Sequence, residues 1–195
     1  MDFAAARLNM VDSQLRTNRV MDRRLLDAFL AIPRERFVPV AFHDAAYFDD
    51  DLPLGNGRML LEPMILGRLL QEAEVRSEDK VLDIGCATGY AAAILSRLAK
   101  QVVAVEEDSA LAAAARARLA ELGVLHAKVV KSPLAAGHAD GAPYDVILIE
   151  GAIGLVPDVI ARQLAEGGRL VTVLKSGGGV GRGMMMTRIK GALSR

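Results

Sequence analysis

The chain has 195 residues, 52% of them hydrophobic, with 24 basic and 24 acidic side chains. The length and the hydrophobic content suit one domain with a substantial core. Because the charges balance, no net positive charge attracts the chain to nucleic acid or to an anionic membrane. The apolar runs are far shorter than the roughly 20 residues that span a bilayer. A single cysteine, Cys86, excludes an internal disulfide, and the first residues form neither a secretory nor a transit signal, so we expect a cytoplasmic location.

The first part of the chain is predicted to be helical, with intervening loops. Apolar residues at helical spacing, together with start and stop signals, predict helices over 4–16, 23–31 and 63–73. Asp22 is expected to cap the second helix, Pro33 to end it, and Pro63 to begin the third at a favourable first-turn position. The charged side chains of 34–36 are interpreted as solvated.

From Lys80 onward, short apolar strands alternate with helices. Strands are predicted near 80–84, 101–105, 127–130, 145–149, 169–174 and 184–189, and helices near 90–99, 110–122 and 157–165. This alternation predicts an α/β protein with a Rossmann-like, doubly wound, mainly parallel sheet and an N-terminal helical extension. Ligand is expected beyond the carboxyl ends of the first and fourth of these strands, where Gly85 and Glu150 lie.

The sequence VLDIGCATGY at 81–90 carries the strongest functional signal. Its pattern, Asp83-x-Gly85-x-Ala87-x-Gly89, differs from the G-x-G-x-x-G of dinucleotide sites, which disfavours a nicotinamide-dependent oxidoreductase. It resembles motif I of S-adenosylmethionine (SAM) dependent methyltransferases, with alanine in place of the middle glycine. A turn without a ligand is the alternative. The candidate cofactor-binding residues here are Asp83, Gly85, Cys86, Ala87 and Gly89.

Glu106 is a further candidate cofactor ligand. It ends the second strand of the sheet, 17 residues after Gly89, near the offset at which doubly wound folds place a ribose-binding carboxylate. The alternative is that Glu106 only adds negative charge at the N-terminus of the next helix.

Several longer segments indicate which family of methyltransferases the chain resembles. PRERFVP at 33–39, LPLGNG at 52–57, YDVI at 144–147 and GGRLV at 167–171 accompany the motif at 81–90. Together they closely resemble protein-L-isoaspartate O-methyltransferases over nearly the whole chain, and the first two segments are much more specific to that family than motif I.

The resemblance implies a repair enzyme that uses SAM as its cofactor and forms S-adenosyl-L-homocysteine. Its partner would be a protein or peptide with an isoaspartyl residue, whose α-carboxylate is methylated, and not nucleic acid or a membrane. The oligomeric state is left open. Residues 1–195 are expected to form one methyltransferase domain, in which 1–75 lie on the substrate side and 76–195 form the cofactor-binding sheet. The substrate-side loop would contain Gly55, Gly57, Arg58 and Leu61.

The chain also departs from the family pattern near the expected reaction centre. Leu61 stands where the family carries a hydroxyl residue beside the substrate carboxylate, and Met59 replaces a second hydroxyl. Pro133 stands where the family has an aspartate near the adenine. Glu150 replaces a small or neutral residue, so it would repel an acceptor carboxylate unless Arg58 compensates, serve as a base, or turn outward into solvent.

These departures leave the catalytic residue unknown, with Glu150 as the candidate. A catalytically weak or silent member that binds SAM or another protein is an alternative function, as is a methyltransferase with a different acceptor. No metal is expected, because the three histidines lack ligand spacing and the acidic run at 49–51 resembles a solvated loop.

Overall fold

The computed structural model describes residues 1–175 and 177–194, and its N-terminal part is mainly helical. Its elements are α1 (Phe3–Met10), α2 (Arg23–Ala31), a hairpin of β1 (Leu52–Gly55) and β2 (Arg58–Leu60), and α3 (Pro63–Ala73). Asp22 caps α2 by accepting hydrogen bonds from the backbone N–H groups of Arg24 and Leu25, as predicted. The helix predicted over 4–16 is wrong in its continuity, because a π-helical turn over Val11–Leu15 and a 3₁₀ turn follow α1.

The second part is an open sheet with helices on both faces. Its elements are β3 (Lys80–Ile84), α4 (Tyr90–Leu95), β4 (Gln101–Glu106), α5 (Ser109–Glu121), β5 (Ala127–Lys131), β6 (Tyr144–Ile153), α6 (Asp158–Ala161), β7 (Leu164–Leu174), β8 (Arg182–Ile189) and β9 (Ala192–Ser194). The strand order is β5-β4-β3-β6-β7-β8-β9. The first five strands are parallel, and β8 pairs antiparallel with both β7 and β9. The predicted Rossmann-like, doubly wound fold is therefore confirmed.

Three details of the sheet region differ from the prediction. α4 ends at Leu95, because Arg97 and Leu98 bond to carbonyls only three residues back and tighten the chain into turns. α6 is a single turn, since Leu164 already pairs with Tyr144 at the start of β7. A seventh strand, β9, pairs with β8 where six strands were predicted.

The core follows the alternation of side chains along the parallel strands. Val81, Val102 and Val146 face one layer, where α2, α3, α4 and α5 pack in a cluster that joins the N-terminal part to the sheet. Leu82 and Val103 face the other layer, which contains α6. Among the described residues, the helices are all too short or too polar to cross a bilayer.

Candidate active site

A tight turn over 85–89, called the cofactor turn below, connects β3 to α4. The N–H groups of Gly85 and Cys86 both donate to the carbonyl of Val105, at 2.9 and 3.1 Å, which fixes the turn against β4. Gly85 and Gly89 have φ of +85° and +93°, conformations that favour glycine, and Ala87 adopts a left-handed φ of +48°. The predicted strand, turn and helix are therefore present at 81–90.

Gly89 is constrained by close packing as well as by its backbone conformation. A Cβ on Gly89 would lie 3.2 Å from Cβ of Ala115 on α5. The neighbouring Cys86 thiol is buried, and this burial raises its pKa, so the thiol stays protonated at neutral pH. Both observations make the cofactor turn part of the protein interior.

Glu106 lies at the end of β4 with no exposed surface. Its carboxylate accepts hydrogen bonds from the backbone N–H groups of Ala87 at 2.8 Å, Glu107 at 2.9 Å and Asp108 at 3.0 Å. These three bonds aim the carboxylate back at the cofactor turn. Glu106 is thus adjacent to the predicted cofactor-binding residues, although it is 17 or more residues away from them in sequence.

Arg58 adds a contact that the sequence did not predict. Its two terminal nitrogens donate to the two carboxylate oxygens of Glu106, at 2.7 and 3.0 Å, and Nη2 also donates to the carbonyl of Gly85 at 3.1 Å. Sequence reasoning placed Arg58 on the substrate side, together with Gly55, Gly57 and Leu61. In the structure the hairpin brings Arg58 across to the cofactor turn.

Asp83, which is buried near the end of β3, and Glu150, which is half-buried within β6, carry two carboxyl groups at this edge of the sheet. Among the described residues, no donor reaches either carboxyl oxygen of Asp83 or Oε1 of Glu150. Burial raises the pKa of Asp83 to about 7 and raises the pKa of Glu150 well above its usual range, and the proximity of the two groups adds to the effect on Glu150. Both groups therefore hold their protons more tightly than an exposed carboxyl group does. Because Oε1 of Glu150 is buried, the alternative of a fully solvated, outward-facing Glu150 is wrong.

A cavity of about 380 Å³ opens beside these groups. Its lining includes Arg58, Met59 and Leu61 from the hairpin side, Gly85 from the cofactor turn, Leu134 after β5, and Glu150 from β6. The sequence prediction that Gly85 and Glu150 lie at one edge of the sheet is consistent with this arrangement. Leu61 presents only an aliphatic side chain to the cavity.

Two glycines of the predicted substrate-side loop shape the hairpin. Gly55 and Gly57 have φ of +94° and +73°, and a Cβ on either glycine would find no atom within 4 Å. Asn56 between them also has a left-handed φ, and its side chain donates to Asp108 at 3.1 Å. These glycines therefore serve the turn geometry, not a close approach of the backbone.

Arg34 is a residue that sequence reasoning misjudged. Its side chain is fully buried, where solvation was expected, and its guanidinium lies over the ring of Tyr90 at 4.9 Å. It donates to the carbonyl of Ala46 at 2.7 Å and to that of Leu61 at 2.9 Å. Arg34 therefore ties the residue that follows the hairpin to the core, a role that no local pattern reveals.

The acidic run at 49–51 is exposed, as predicted, but it also has a structural role. Asp51 accepts a hydrogen bond from the N–H of Glu62, and Asp49 accepts one from the N–H of Met64. These bonds satisfy free N–H groups at the start of α3. Pro133, which stands where the family has an acid near the adenine, directly precedes the cavity residue Leu134.

Comparison with known proteins identifies close similarity over most of the chain. The family model described as protein-L-isoaspartate(D-aspartate) O-methyltransferase matches residues 6–189. A protein-L-isoaspartate O-methyltransferase of Koribacter versatilis is 44% identical over 169 residues, which cover 87% of this chain and 76% of that protein. One from Methylorubrum populi is 41% identical over 178 residues, which cover 90% of this chain and 82% of that protein.

Solved structures agree with these similarities. A protein-L-isoaspartate O-methyltransferase with 25% identity superimposes with a TM-score of 0.82, covering 96% of this chain and 61% of that one. A Plasmodium falciparum protein described as a putative member, solved with S-adenosyl-L-homocysteine, is 13% identical with a TM-score of 0.81, covering 96% of this chain and 92% of that one. At that identity the second likeness shows the fold alone.

Proposed function

Because this chain belongs to the protein-L-isoaspartate(D-aspartate) O-methyltransferase family, we propose that it methylates the α-carboxylate of isoaspartyl residues in damaged proteins, with SAM as the methyl donor. One observation supports the assignment of this activity to the cavity. Gly85 and Glu150 line the same cavity at the switch point of the sheet, with Glu106 bonded to the cofactor turn. Ligands of doubly wound folds bind at such a point.

The acidic groups at this edge fit the cofactor. SAM carries positive ammonium and sulfonium groups and two ribose hydroxyls, and the site offers three carboxyl groups, those of Asp83, Glu106 and Glu150. Two oxygens of Asp83 and one of Glu150 lack any donor among the described residues, so they are available to cationic or hydroxyl partners. We propose Asp83, Gly85, Cys86, Ala87, Gly89 and Glu106 as the cofactor-binding residues.

The residues of this chain need to orient the acceptor more than to activate it. A carboxylate is already ionised near neutral pH, so its methylation depends on alignment and needs no general base. SAM bound at this site would supply the methyl group to the carboxylate oxygen and would leave as S-adenosyl-L-homocysteine, with the electron pair of the broken carbon–sulfur bond on sulfur. Because burial raises the pKa of Glu150, its carboxyl group is protonated more often than that of an exposed glutamate, so it repels the acceptor carboxylate less.

The loss of the family hydroxyl at Leu61 should lower the efficiency of this reaction. A hydrogen bond to a charged group contributes about 1.5–3 kcal/mol, so its absence corresponds to roughly 10- to 100-fold in rate. We therefore expect methyl transfer to isoaspartyl peptides that is slower than in relatives carrying the hydroxyl, unless Arg58 supplies a replacement donor.

A methyl-transfer assay tests the proposal directly. Radiolabelled SAM is incubated with the protein and one of two peptides of identical sequence, with either an isoaspartyl or a normal aspartyl residue. We expect base-labile label on the isoaspartyl peptide alone. If S-adenosyl-L-homocysteine binds in a calorimetric titration while neither peptide is labelled, the alternative of a member without isoaspartyl activity is correct.

The class of acceptor, the roles of the two parts of the chain and the cellular location belong to the same proposal. The acceptor would be a protein, and not nucleic acid, because 24 basic residues are balanced by 24 acidic ones. Residues 1–75 would face the protein substrate and 76–195 would bind the cofactor within one domain. A cytoplasmic location remains part of the proposal.

A further inference from the structure

The carboxylate of Glu106 has no capacity left for a ligand in this structure. Five N–H groups donate to it: two from the guanidinium of Arg58 and one each from the backbone of Ala87, Glu107 and Asp108. A carboxylate offers about four lone-pair sites. Two ribose hydroxyls can therefore bond to Glu106 only after Arg58 withdraws.

Arg58 also shields Glu106 from the cavity. The side chain of Arg58 is 22% exposed and contributes to the cavity lining, whereas that of Glu106 is 0% exposed. The backbone donors to Glu106 belong to the cofactor turn and to the start of α5, so they cannot leave without disturbing the fold. Arg58 supplies the two donors of the five that a side-chain movement can remove.

The hairpin that carries Arg58 is lightly attached at its tip. Its strands have four and three residues, and nothing lies within 4 Å of where a Cβ on Gly55 or Gly57 would be. On the cofactor side the tip is held by the exposed bond from Asn56 to Asp108 and by the bonds of Arg58 itself. Arg58 can thus change its partner without repacking the core.

We propose that Arg58 exchanges one carboxylate for another: it binds Glu106 in the cofactor-free protein, and it binds the acceptor carboxylate once the cofactor ribose has taken Glu106. The proposal rests on the proposed function. Arg58 lines the same cavity as Leu61, where the family's hydroxyl donor is missing, and its planar guanidinium matches a carboxylate with two parallel bonds. Arg58 is then the specificity-determining group for an anionic acceptor.

Such an exchange couples the two ligands. The cofactor must displace Arg58, which lowers its apparent affinity, and the released guanidinium then raises the affinity for the acceptor. By linkage, the acceptor must strengthen cofactor binding by the same factor. The acceptor therefore binds more tightly to protein that already holds the cofactor.

Calorimetric titration with S-adenosyl-L-homocysteine tests the first half of the exchange. Arg58→Met removes the competing guanidinium, so we expect tighter binding than in the wild type, by about tenfold. Arg68→Met is the matched control, because Arg68 is an exposed arginine on α3 that bonds to Asn18 and Glu72. Unchanged or weaker binding in Arg58→Met, with the control like the wild type, would overturn the competition.

Titration with a synthetic isoaspartyl peptide tests the second half. In the wild type, saturating S-adenosyl-L-homocysteine should strengthen peptide binding about tenfold, whereas in Arg58→Met the peptide should bind equally weakly with and without it. If the wild type binds peptide with the same affinity in both conditions, Arg58 does not receive the acceptor.

A second variant covers the case in which Arg58→Met fails to fold. Arg58→Lys keeps the positive charge but not the two parallel bonds, so its affinity for S-adenosyl-L-homocysteine should lie between those of the wild type and the methionine variant. Wild-type affinity in Arg58→Lys would contradict the exchange. Methyl transfer to the isoaspartyl peptide, with no change of affinity in either variant, would refute the exchange while leaving the proposed function intact.

Discussion

Two glycines with nearly the same backbone conformation mark two very different regions of the site. Gly89 in the cofactor turn has φ of +93° and Gly55 in the hairpin has φ of +94°. A Cβ on Gly89 would meet Ala115 at 3.2 Å, whereas one on Gly55 would meet nothing within 4 Å. The cofactor turn is therefore built into the core, and the hairpin tip lies against it without being packed.

The cofactor turn is held by backbone hydrogen bonds and the hairpin by side chains, and this difference explains where the sequence can vary. Backbone bonds from Gly85 and Cys86 to Val105 fix the cofactor turn, so its geometry depends on β4. The hairpin depends on side chains: Arg58 and Asn56 reach across at its tip, and Arg34 holds the carbonyl of Leu61 just beyond its end. Met59 and Leu61, where the sequence analysis expects departures from the family pattern, lie on this side. Substitutions here should change binding, whereas substitutions in the cofactor turn should first reduce stability.

The pair of glycines gives the strongest test of this contrast. Gly89→Ala should reduce the free energy of unfolding by about 3 kcal/mol, because left-handed strain of ~1–2 kcal/mol adds to overpacking against α5. Gly55→Ala carries only the strain and should cost about 1 kcal/mol. Urea unfolding of both variants measures the difference. Equal losses would mean that the hairpin tip is as tightly packed as the cofactor turn.

Arg34 bonds the residue that follows the hairpin to the core, and its removal should cause the next largest loss of stability. Arg34→Met leaves the carbonyls of Ala46 and Leu61 without this donor, at ~1–3 kcal/mol each, partly offset because a charge is no longer buried. A net loss of about 2 kcal/mol should lower Tm by roughly 4–8 °C in a chain of this size.

Arg36→Met is the matched control for that variant. Arg36 pairs with Glu121 on the surface, with the two side chains 43% and 56% exposed, so its loss should cost under ~1 kcal/mol. Thermal unfolding that fails to separate the two variants would show that the buried bonds of Arg34 do not hold this segment.

The raised pKa values of Asp83 and Glu150 predict that the stability of the folded protein depends on pH. The pKa of Asp83 is raised from 3.8 to about 7, so the folded state binds more protons than the unfolded state between those values. Stability that is fully present below about pH 4 is therefore lost as the pH rises toward 7, by up to ~1.4 kcal/mol per pH unit for one proton.

Glu150→Gln should reduce the pH dependence of stability. The variant lacks the carboxyl group of Glu150, whose own raised pKa makes the folded state take up a proton, while burial still raises the pKa of Asp83. Urea unfolding at pH 5 and pH 6.5 should show the wild type losing about 1 kcal/mol per pH unit more than the variant. Glu72→Gln, at an exposed position on α3, is the control, and parallel slopes in all three proteins would show that Glu150 takes up no proton on folding.

Short-range patterns in the sequence were sufficient for the fold and for the strand, turn and helix at 81–90. Strand and helix periodicity predicted the parallel order, and the glycine spacing at 81–90 predicted the turn, because these features depend on residues a few positions apart. The hairpin was missed because its strands have only four and three residues and contain Pro53 and glycine. α4 and α6 were predicted too long, since their ends are set by turns and strand pairing.

Only the tertiary structure decided which charged groups meet. Arg58 and Glu106 are 48 residues apart, Arg34 donates to a carbonyl 27 residues away, and Asp83 raises the pKa of Glu150 on another strand. Polar side chains prefer water by themselves, and Arg34 and Glu106 are fully buried because distant partners bond to them. By itself the sequence determined the scaffold and the chemistry available at one edge of the sheet. Long-range packing determined which of those groups are free to bind a ligand and which already bind each other.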